Sequence, residues 1–354
     1  MIHIYSDPHQ GLNLVSHTTV DSRRRLKEYI ALHTAEVVGG FGDDGTIICA
    51  GDFYHTYKNS EETLYSSMWT ASKTSKILAG NHDVVNIKGA KGTLDIIGTV
   101  FDAQVVPCKF GKVNYQVVST GLPDPASPLL YMVPHHSNQE LFEEALASAA
   151  ESADSHENDC LLVTHCNYDS PFINDDVTLH MTQRHAKKLL KSFDYIFLGH
   201  DHNFKKDLDD RVIVVGSPHP TGFGDISDKY TVSLERDCVA YQRVWEEALH
   251  YLECDYTELA DRLNKDHQFV KLTGEIPPSE IHTLAATIRQ AWKHFSPFAI
   301  KSDVKILTGD ASATTFDTAN MDNINEIIER ELKNSPDLYR MWKEISDDQV
   351  ASTE

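Results

Sequence analysis

The sequence of 354 residues predicts a layered α/β fold, and three patterns support that prediction. Short apolar runs typical of buried strands alternate with helical stretches in the first part of the chain. Farther along, glycine and proline turns separate successive strand-like segments, which indicates a second sheet. Several of the apolar runs also end in a side chain that could bind a metal ion, so the predicted fold carries a candidate site.

The first part of the chain predicts strands joined by helices. Its apolar runs are too short for stable helices, whereas the stretches between them space apolar residues for one helical face. In order, the pattern predicts a strand at residues 1–6, a helix at 22–38, a strand at 46–50, a helix at 61–74 and a strand at 77–79. This succession favours a sheet covered by helices.

A second set of strands is predicted between residues 103 and 134, where turn residues separate three apolar segments. A helix at 139–149 follows, and then strands at 161–164, 195–198, 211–215 and 230–244. We therefore expect the main domain to occupy residues 1–244.

The remaining chain predicts three further parts. Helices at 256–263 and 279–295 alternate with strands at 269–273 and 298–307, as expected for a small α/β cap domain over residues 245–308. Residues 309–320 are small and polar, which is typical of a linker. Two apolar stripes divided by Ser335-Pro336 then predict a pair of helices at 321–354.

Composition limits the class of protein. Hydrophobic residues make up 41% and charged residues 24%, and no apolar run approaches the roughly 20 residues that span a bilayer. We expect a cytoplasmic protein without a membrane segment. The net charge of −21 argues against binding nucleic acid through the overall electrostatic field. The 19 histidines are unusual, because imidazole suits divalent transition metals.

Five apolar runs end in oxygen or nitrogen ligands, in the order D-x-H, G-D, G-N-H-D, H and G-H-x-H. The side chains are Asp7, His9, Asp52, Asn81, His165, His200 and His202. Because α/β sheets place their sites at the carboxyl ends of strands, we expect these side chains to converge on one crevice. A mixed nitrogen and oxygen set without thiolate favours manganese, iron or zinc over calcium.

These motifs resemble those of the calcineurin-like metallophosphoesterase superfamily, from Asp7 to His202. The resemblance implies a two-sheet sandwich flanked by helices and two bound metal ions. It assigns one ion to Asp7, His9 and His202, and the other to Asn81, His165 and His200, with Asp52 bridging both. It also implies that His82 is a catalytic histidine that binds no metal, with Asp83 as the group that orients it.

Within the superfamily, the chain is similar to the nuclease subunit of SbcC-SbcD type DNA repair complexes and its phage relatives. Residues 51–55 (GDFYH) carry an extra histidine after the G-D pair, and residues 215–218 (VGSP) match a later turn. The resemblance implies two Mn²⁺ ions, 3′-to-5′ exonuclease activity with possible endonuclease activity, homodimerisation and a coiled-coil ATPase partner bound by the C-terminal helices. His55 and His219 are candidates for contact with DNA, or equally for hydrogen-bonded loop histidines.

Two other functions compete with the nuclease. One is a stand-alone phosphatase or cyclic-nucleotide phosphodiesterase, and the other is a non-catalytic scaffold. The intact ligand set and His82 argue against a scaffold, and the cap and helix pair argue against an enzyme for small substrates. The sequence has no G-x-x-x-x-G-K-[ST] loop, so ATP dependence would have to come from another chain. His135 and His136 are expected in a solvated loop.

Overall fold

The computed structural model describes residues 1–43, 45–84, 90–101, 104–119, 127–170, 178–235, 238–307 and 314–315. The predicted helix pair at 321–354 lies outside these residues, as does the predicted linker apart from Thr314 and Thr315. The chain divides into two compact units. The first comprises Met1–Leu14 and Val20–Tyr251, and the second comprises Val15–Thr19 and the chain from Leu252 onward.

The strands of the described residues are short and are numbered in chain order. They are β1 Ile2–Tyr5, β2 Thr46–Cys49, β3 Lys76–Leu78, β4 Val105–Val106, β5 Gln116–Ser119, β6 Leu129–Val133, β7 Cys160–His165, β8 Asn167–Tyr168, β9 His180–Met181, β10 Tyr195–Gly199, β11 Lys205–Asp207, β12 Val212–Val214, β13 Lys229–Glu235, β14 Cys238–Trp245, β15 Tyr251–Asp255, β16 Phe269–Thr273, β17 Glu275–Ile276, β18 Ala299–Ser302, β19 Lys305–Ile306 and β20 Thr314–Thr315.

The helices are numbered in the same way, and several begin at a side chain that caps the first turn. They are α1 Val20–Gly40, α2 Glu61–Lys73, α3 Thr93–Val100, α4 Gln139–Ala153, α5 Gln183–Leu189, α6 Glu247–His250, α7 Leu259–Arg262 and α8 Ile281–His294. Ser60, Asn138 and Thr182 accept backbone N–H hydrogen bonds at the starts of α2, α4 and α5. The helices α3 and α5 were not expected from the sequence pattern.

The first sheet has the order β14-β13-β1-β2-β3-β4. Its strands β1 to β4 run parallel, and β13 joins β1 antiparallel. Because β4 pairs with β3, the segment at Val105–Val106 belongs to this sheet and not to the predicted second sheet. The parallel strands have their carboxyl ends at one edge, where the predicted ligands follow.

The second sheet has the order β11-β12-β10-β7-β6-β5. Its central strands β6, β7, β10 and β12 are parallel, and the outer strands β5 and β11 are antiparallel to their neighbours. The four central strands carry almost no exposed residues, as expected for strands covered on both faces.

Alternating side chains hold the two sheets and the outer helices together. Ile4 and Ile48 of the first sheet share one buried core with Val163 and Phe197 of the second. On the outer face of the first sheet, the next residues along each strand pack on α1, α2 and α3, and on the outer face of the second sheet they pack on α4 and α5. This arrangement confirms the predicted two-sheet sandwich flanked by helices.

The second unit contains a sheet of order β15-β16-β18 and a smaller one of order β17-β19-β20. Leu284, Ile288 and Ala291 of α8 pack on the first of these sheets in a separate core. The loop Val15–Thr19 joins this unit through the His17 carbonyl, which accepts the Ile300 N–H at 2.9 Å. Across the described residues, no helix combines the length and apolar character that crossing a membrane requires.

Candidate metal centre

Each predicted ligand lies at or within a few residues of the carboxyl end of a parallel strand. Asp7, Asp52 and Asn81 come after β1, β2 and β3 of the first sheet. In the second sheet, His165 is the last residue of β7, and His200 follows β10. The strand directions therefore bring all of these side chains to the same edge of the sandwich, as expected for an α/β fold.

Close approach of the two sheets at this edge requires glycine at two positions. A Cβ atom on Gly51 would overlap the His165 ring, and one on Gly199 would overlap Ser6 and the Ala50 carbonyl. Gly51 also has a φ of 116°, which is accessible mainly to glycine. These two glycines let side chains of one sheet reach those of the other.

A first ligand group contains Asp7, His9 and His202, whose potential ligand atoms lie within 4.8 Å of one another. The Nε2 atoms of His9 and His202 are 3.0 Å apart. The carboxylate of Asp7 also accepts the backbone N–H of His200, at 3.0 Å to Oδ2. This hydrogen bond connects the first sheet directly to the loop after β10.

A second ligand group contains Asp52, His165 and His200, also within 4.8 Å. The Oδ1 atom of Asn81 lies 3.0 Å from His165 Nε2 and 2.9 Å from His200 Nδ1. The Asp52 carboxylate lies between the two groups, because its Oδ2 is 3.3 Å from His165 Nε2 and 3.9 Å from His9 Nε2. The structure thus places Asp52 where a bridging ligand would have to be.

The donor atoms fit a bound cation. His165 donates from Nδ1 to the Ala50 carbonyl at 3.0 Å, so a neutral His165 ring has its lone pair on Nε2. That lone pair faces the oxygens of Asn81 and Asp52, which are also acceptors. Several acceptors facing one point repel each other unless a proton or a cation lies among them, so the arrangement matches a metal site.

The electrostatics of the site agree with this reading. Burial would raise the pKa of Asp52, but His165 and His9 hold it well below its ordinary range. Burial would lower the pKa of His165, but the Asp52 and Asp7 carboxylates raise it to about 9. Burial, reinforced by His165, lowers the pKa of His200 to about 3. The two carboxylates therefore favour positive charge at His165, as expected in a site for a cation.

The backbone at these ligands is strained. Asp7, His9, Asp52 and His200 have positive φ values of 50°, 44°, 47° and 95°. Such conformations cost on the order of 1–3 kcal/mol each and persist only where surrounding contacts hold them. Backbone hydrogen bonds provide such contacts, including those from the His9 N–H to the Asp52 carbonyl at 3.1 Å and from the Asp7 N–H to the Gly51 carbonyl at 3.0 Å.

His82 lies beside the ligands in a third group with His9 and His55. Its Nδ1 is 2.7 Å from the His55 carbonyl, which can only accept, so Nδ1 carries the hydrogen. The His55 and His82 rings stack with centroids 5.3 Å apart. The His55 carbonyl thus orients the His82 ring, in place of the Asp83 carboxylate that we had expected.

Asp83 has a structural role in the described contacts. Its carboxylate is buried and accepts the backbone N–H groups of Phe53, Tyr54 and Gly80, at 3.1, 2.9 and 3.0 Å. These donors belong to the loops after β2 and β3. Asp83 therefore fastens together the two loops that carry Asp52 and Asn81, and the expected orienting role is corrected.

Three other histidines are buried, and for His219 the structure favours the hydrogen-bonded loop histidine over contact with DNA, the two roles that the sequence left open. His219 is completely buried, and its Nε2 donates to the Pro8 carbonyl at 2.9 Å, so it supports the Asp7–His9 loop and does not present its ring to a substrate. His135 and His136 are buried as well, against the expected solvated loop. His136 donates from Nδ1 to the Pro134 carbonyl and accepts the Asn114 N–H at Nε2.

The sequence motifs did not identify Asp225, a buried carboxylate at the site. Asp225 lies 3.1 Å from Nδ1 of His202 through its Oδ2 atom, and the completely buried Lys229 contacts it. Asp225 follows a Gly- and Phe-containing turn and no apolar strand run. It therefore lacks the local signal that identified the ligands.

A comparison with protein families matches residues 1–204, more than half of the chain, to the family described as Calcineurin-like phosphoesterase. The matched residues include every predicted ligand and His82. No curated protein matches the chain.

We predict that Asp83→Ala lowers the free energy of unfolding by about 3 kcal/mol or more, because it leaves three buried N–H groups without their acceptor. Denaturant unfolding with EDTA present measures this loss without a contribution from metal. Asp21→Ala is the control, since that exposed carboxylate pairs with Arg24 and Arg25 on the surface of α1 and its loss should cost about 1 kcal/mol or less. Equal losses for the two variants would contradict the structural role.

Proposed function

We propose a DNA nuclease activity for this chain, which belongs to the calcineurin-like phosphoesterase family. Membership implies a metal-dependent phosphoesterase. The finer proposal is a manganese-dependent nuclease subunit of the SbcC-SbcD type, with two Mn²⁺ ions and hydrolysis of phosphodiester bonds. It competes with the stand-alone phosphatase or cyclic-nucleotide phosphodiesterase that shares the same ligand set.

The position of His55 is the observation that carries the proposal. This histidine follows Asp52 in the G-D-F-Y-H motif, and its ring stacks on His82 beside His9. It adds a second imidazole, outside both proposed metal groups, beside the proposed general acid His82. The resemblance to nuclease subunits includes this same histidine, and we take it to favour a diester substrate over a small phosphomonoester.

The side chains divide the proposed reaction among them. Asp7, His9, Asp52 and His202 would hold one cation, and Asn81, His165 and His200 would hold the other with Asp52. When bound, two cations would neutralise phosphate charge and activate a water molecule. His82, whose Nδ1–H is held by the His55 carbonyl, would act as the acid in its doubly protonated form, giving the proton on Nε2 to the departing oxygen.

The experiment that tests the substrate compares Mn²⁺-dependent digestion of linear duplex DNA with hydrolysis of a small phosphomonoester. We expect DNA to be cut and the monoester to be a poor substrate. Efficient hydrolysis of the monoester while the DNA stays uncut would favour the phosphatase instead.

We predict that Asp52→Ala loses bound metal and activity together, because the Asp52 carboxylate lies between both ligand groups.

We predict that His82→Ala keeps the wild-type Mn²⁺ content but lowers the rate of DNA hydrolysis about 100-fold or more, as expected for a missing general acid. Metal content by atomic absorption and single-turnover kinetics measure the two effects separately. His156→Ala is a matched control, since that histidine is exposed beyond α4. Loss of metal in His82→Ala would make His82 a ligand and contradict the assignment.

A partner is proposed from the sequence alone, because the segment concerned lies outside the described residues. The sequence spaces Leu338, Trp342 and Ile345 as one apolar stripe of a predicted helix, and a pair of short predicted helices would leave such stripes uncovered. From Asp317 to Glu354 there are ten acidic and four basic residues, a difference of −6, which opposes contact with DNA. We therefore propose that this segment docks onto a coiled-coil ATPase.

We predict that a chain ending at Gly309 retains metal binding and basal nuclease activity but loses ATP-stimulated activity and copurification with the ATPase. The reason is that the proposed docking segment is removed while every site residue remains. Pull-down and nuclease assays with and without ATP measure these properties. Unfolding of the shortened chain would show instead that the segment belongs to the core.

A further inference from the structure

His202 is held from behind by a buried polar network. Its Nδ1 lies 3.1 Å from Oδ2 of Asp225 and 2.8 Å from Oγ1 of Thr221. The Thr221 hydroxyl also lies 2.8 Å from the same carboxylate oxygen, to which it can donate its hydrogen. The Asp225 carboxylate and the Thr221 hydroxyl oxygen can then both accept the hydrogen of His202 Nδ1, on the side of the ring that faces away from His9.

This network determines which nitrogen of the ring carries the hydrogen. An ionised carboxylate only accepts, so Nδ1 of His202 must be the donor. In the neutral ring, Nε2 then has the lone pair, and this atom is the one 3.0 Å from Nε2 of His9 in the first ligand group. The ring is therefore presented in the tautomer that a metal ligand needs.

The carboxylate is itself held by further hydrogen bonds and lies near a buried cation. Asp225 is buried and also accepts the backbone N–H groups of Thr221 and Gly222, at 2.8 and 2.9 Å. Lys229 is completely buried, lies 4.0 Å from the carboxylate and donates to the carbonyls of Asp225 and His202.

We propose that Asp225, supported by Lys229, is a positioning residue that fixes His202 with its Nε2 lone pair directed at the first metal. The inference rests on the proposed function, because it takes His202 as a metal ligand. A carboxylate behind a ligating imidazole orients the ring and increases its basicity, and its removal commonly weakens metal binding. None of the five sequence motifs includes this carboxylate.

Calorimetric titration of the full-length, metal-free chain with Mn²⁺ tests the proposal. Asp225→Asn preserves the shape of the side chain but removes its charge, and we expect Mn²⁺ affinity to fall about 10- to 100-fold. Asp228→Asn is the matched control, since the Asp228 carboxylate binds Arg243 and the Glu247 N–H. The Mn²⁺ affinity of this variant should stay within about twofold of wild type. Wild-type affinity in Asp225→Asn would overturn the proposal.

A second measurement does not require that Asp225→Asn folds. In the wild-type chain, ¹⁵N NMR of labelled histidine at alkaline pH without metal should show the hydrogen of His202 on Nδ1, with His202→Ala identifying the resonances. A hydrogen on Nε2 would overturn the inference. If His202→Ala leaves Mn²⁺ affinity unchanged, the ligand assignment and the proposed function fail as well. If His202→Ala weakens binding but Asp225→Asn does not, only the positioning role fails.

Discussion

The candidate site depends on the close approach of two sheets at the carboxyl ends of their parallel strands. His165 of the second sheet reaches the Ala50 carbonyl of the first, and Asp7 of the first accepts the N–H of His200 from the second. Side chains at Gly51 or Gly199 would block this approach. Because the ligands come from both sheets, any change that separates the sheets at this edge would disperse the ligand set.

The close approach of the two sheets has an energetic cost that the rest of the structure must offset. It brings acceptor atoms of Asp52, Asn81 and His165 together in a buried place, and four ligand residues have positive φ. Burial of unpaired polar groups and backbone strain are both unfavourable. Hydrogen bonds from outside the ligand set oppose these costs, notably those accepted by Asp83 and Asp225. A bound cation would relieve the remaining repulsion, so metal binding and stability should be linked.

The sequence predicted those parts of the site that a local pattern of residues determines. An apolar strand followed by a polar ligand is visible in a few consecutive residues, and strand direction alone brings such ends together. The supporting contacts were not predictable, because they join residues far apart in the chain. His219 holds the Pro8 carbonyl, and Asp225 holds His202 through a turn without a strand signal. The helix α5 was missed because two of its seven residues, Ala186 and Leu189, are buried, and two such positions do not give a recognisable apolar stripe.

Charge sets a further condition on the proposed reaction. Two divalent cations would add four positive charges to a net charge of −21, which leaves the chain strongly negative. Long-range attraction of DNA phosphates is therefore unfavourable, even though the ligand groups favour phosphate once it is at the site. A nuclease with this charge needs either a locally positive path to the metals or a second protein that holds the DNA. The acidic C-terminal segment does not supply such a path, which agrees with the proposal that a partner protein holds the DNA.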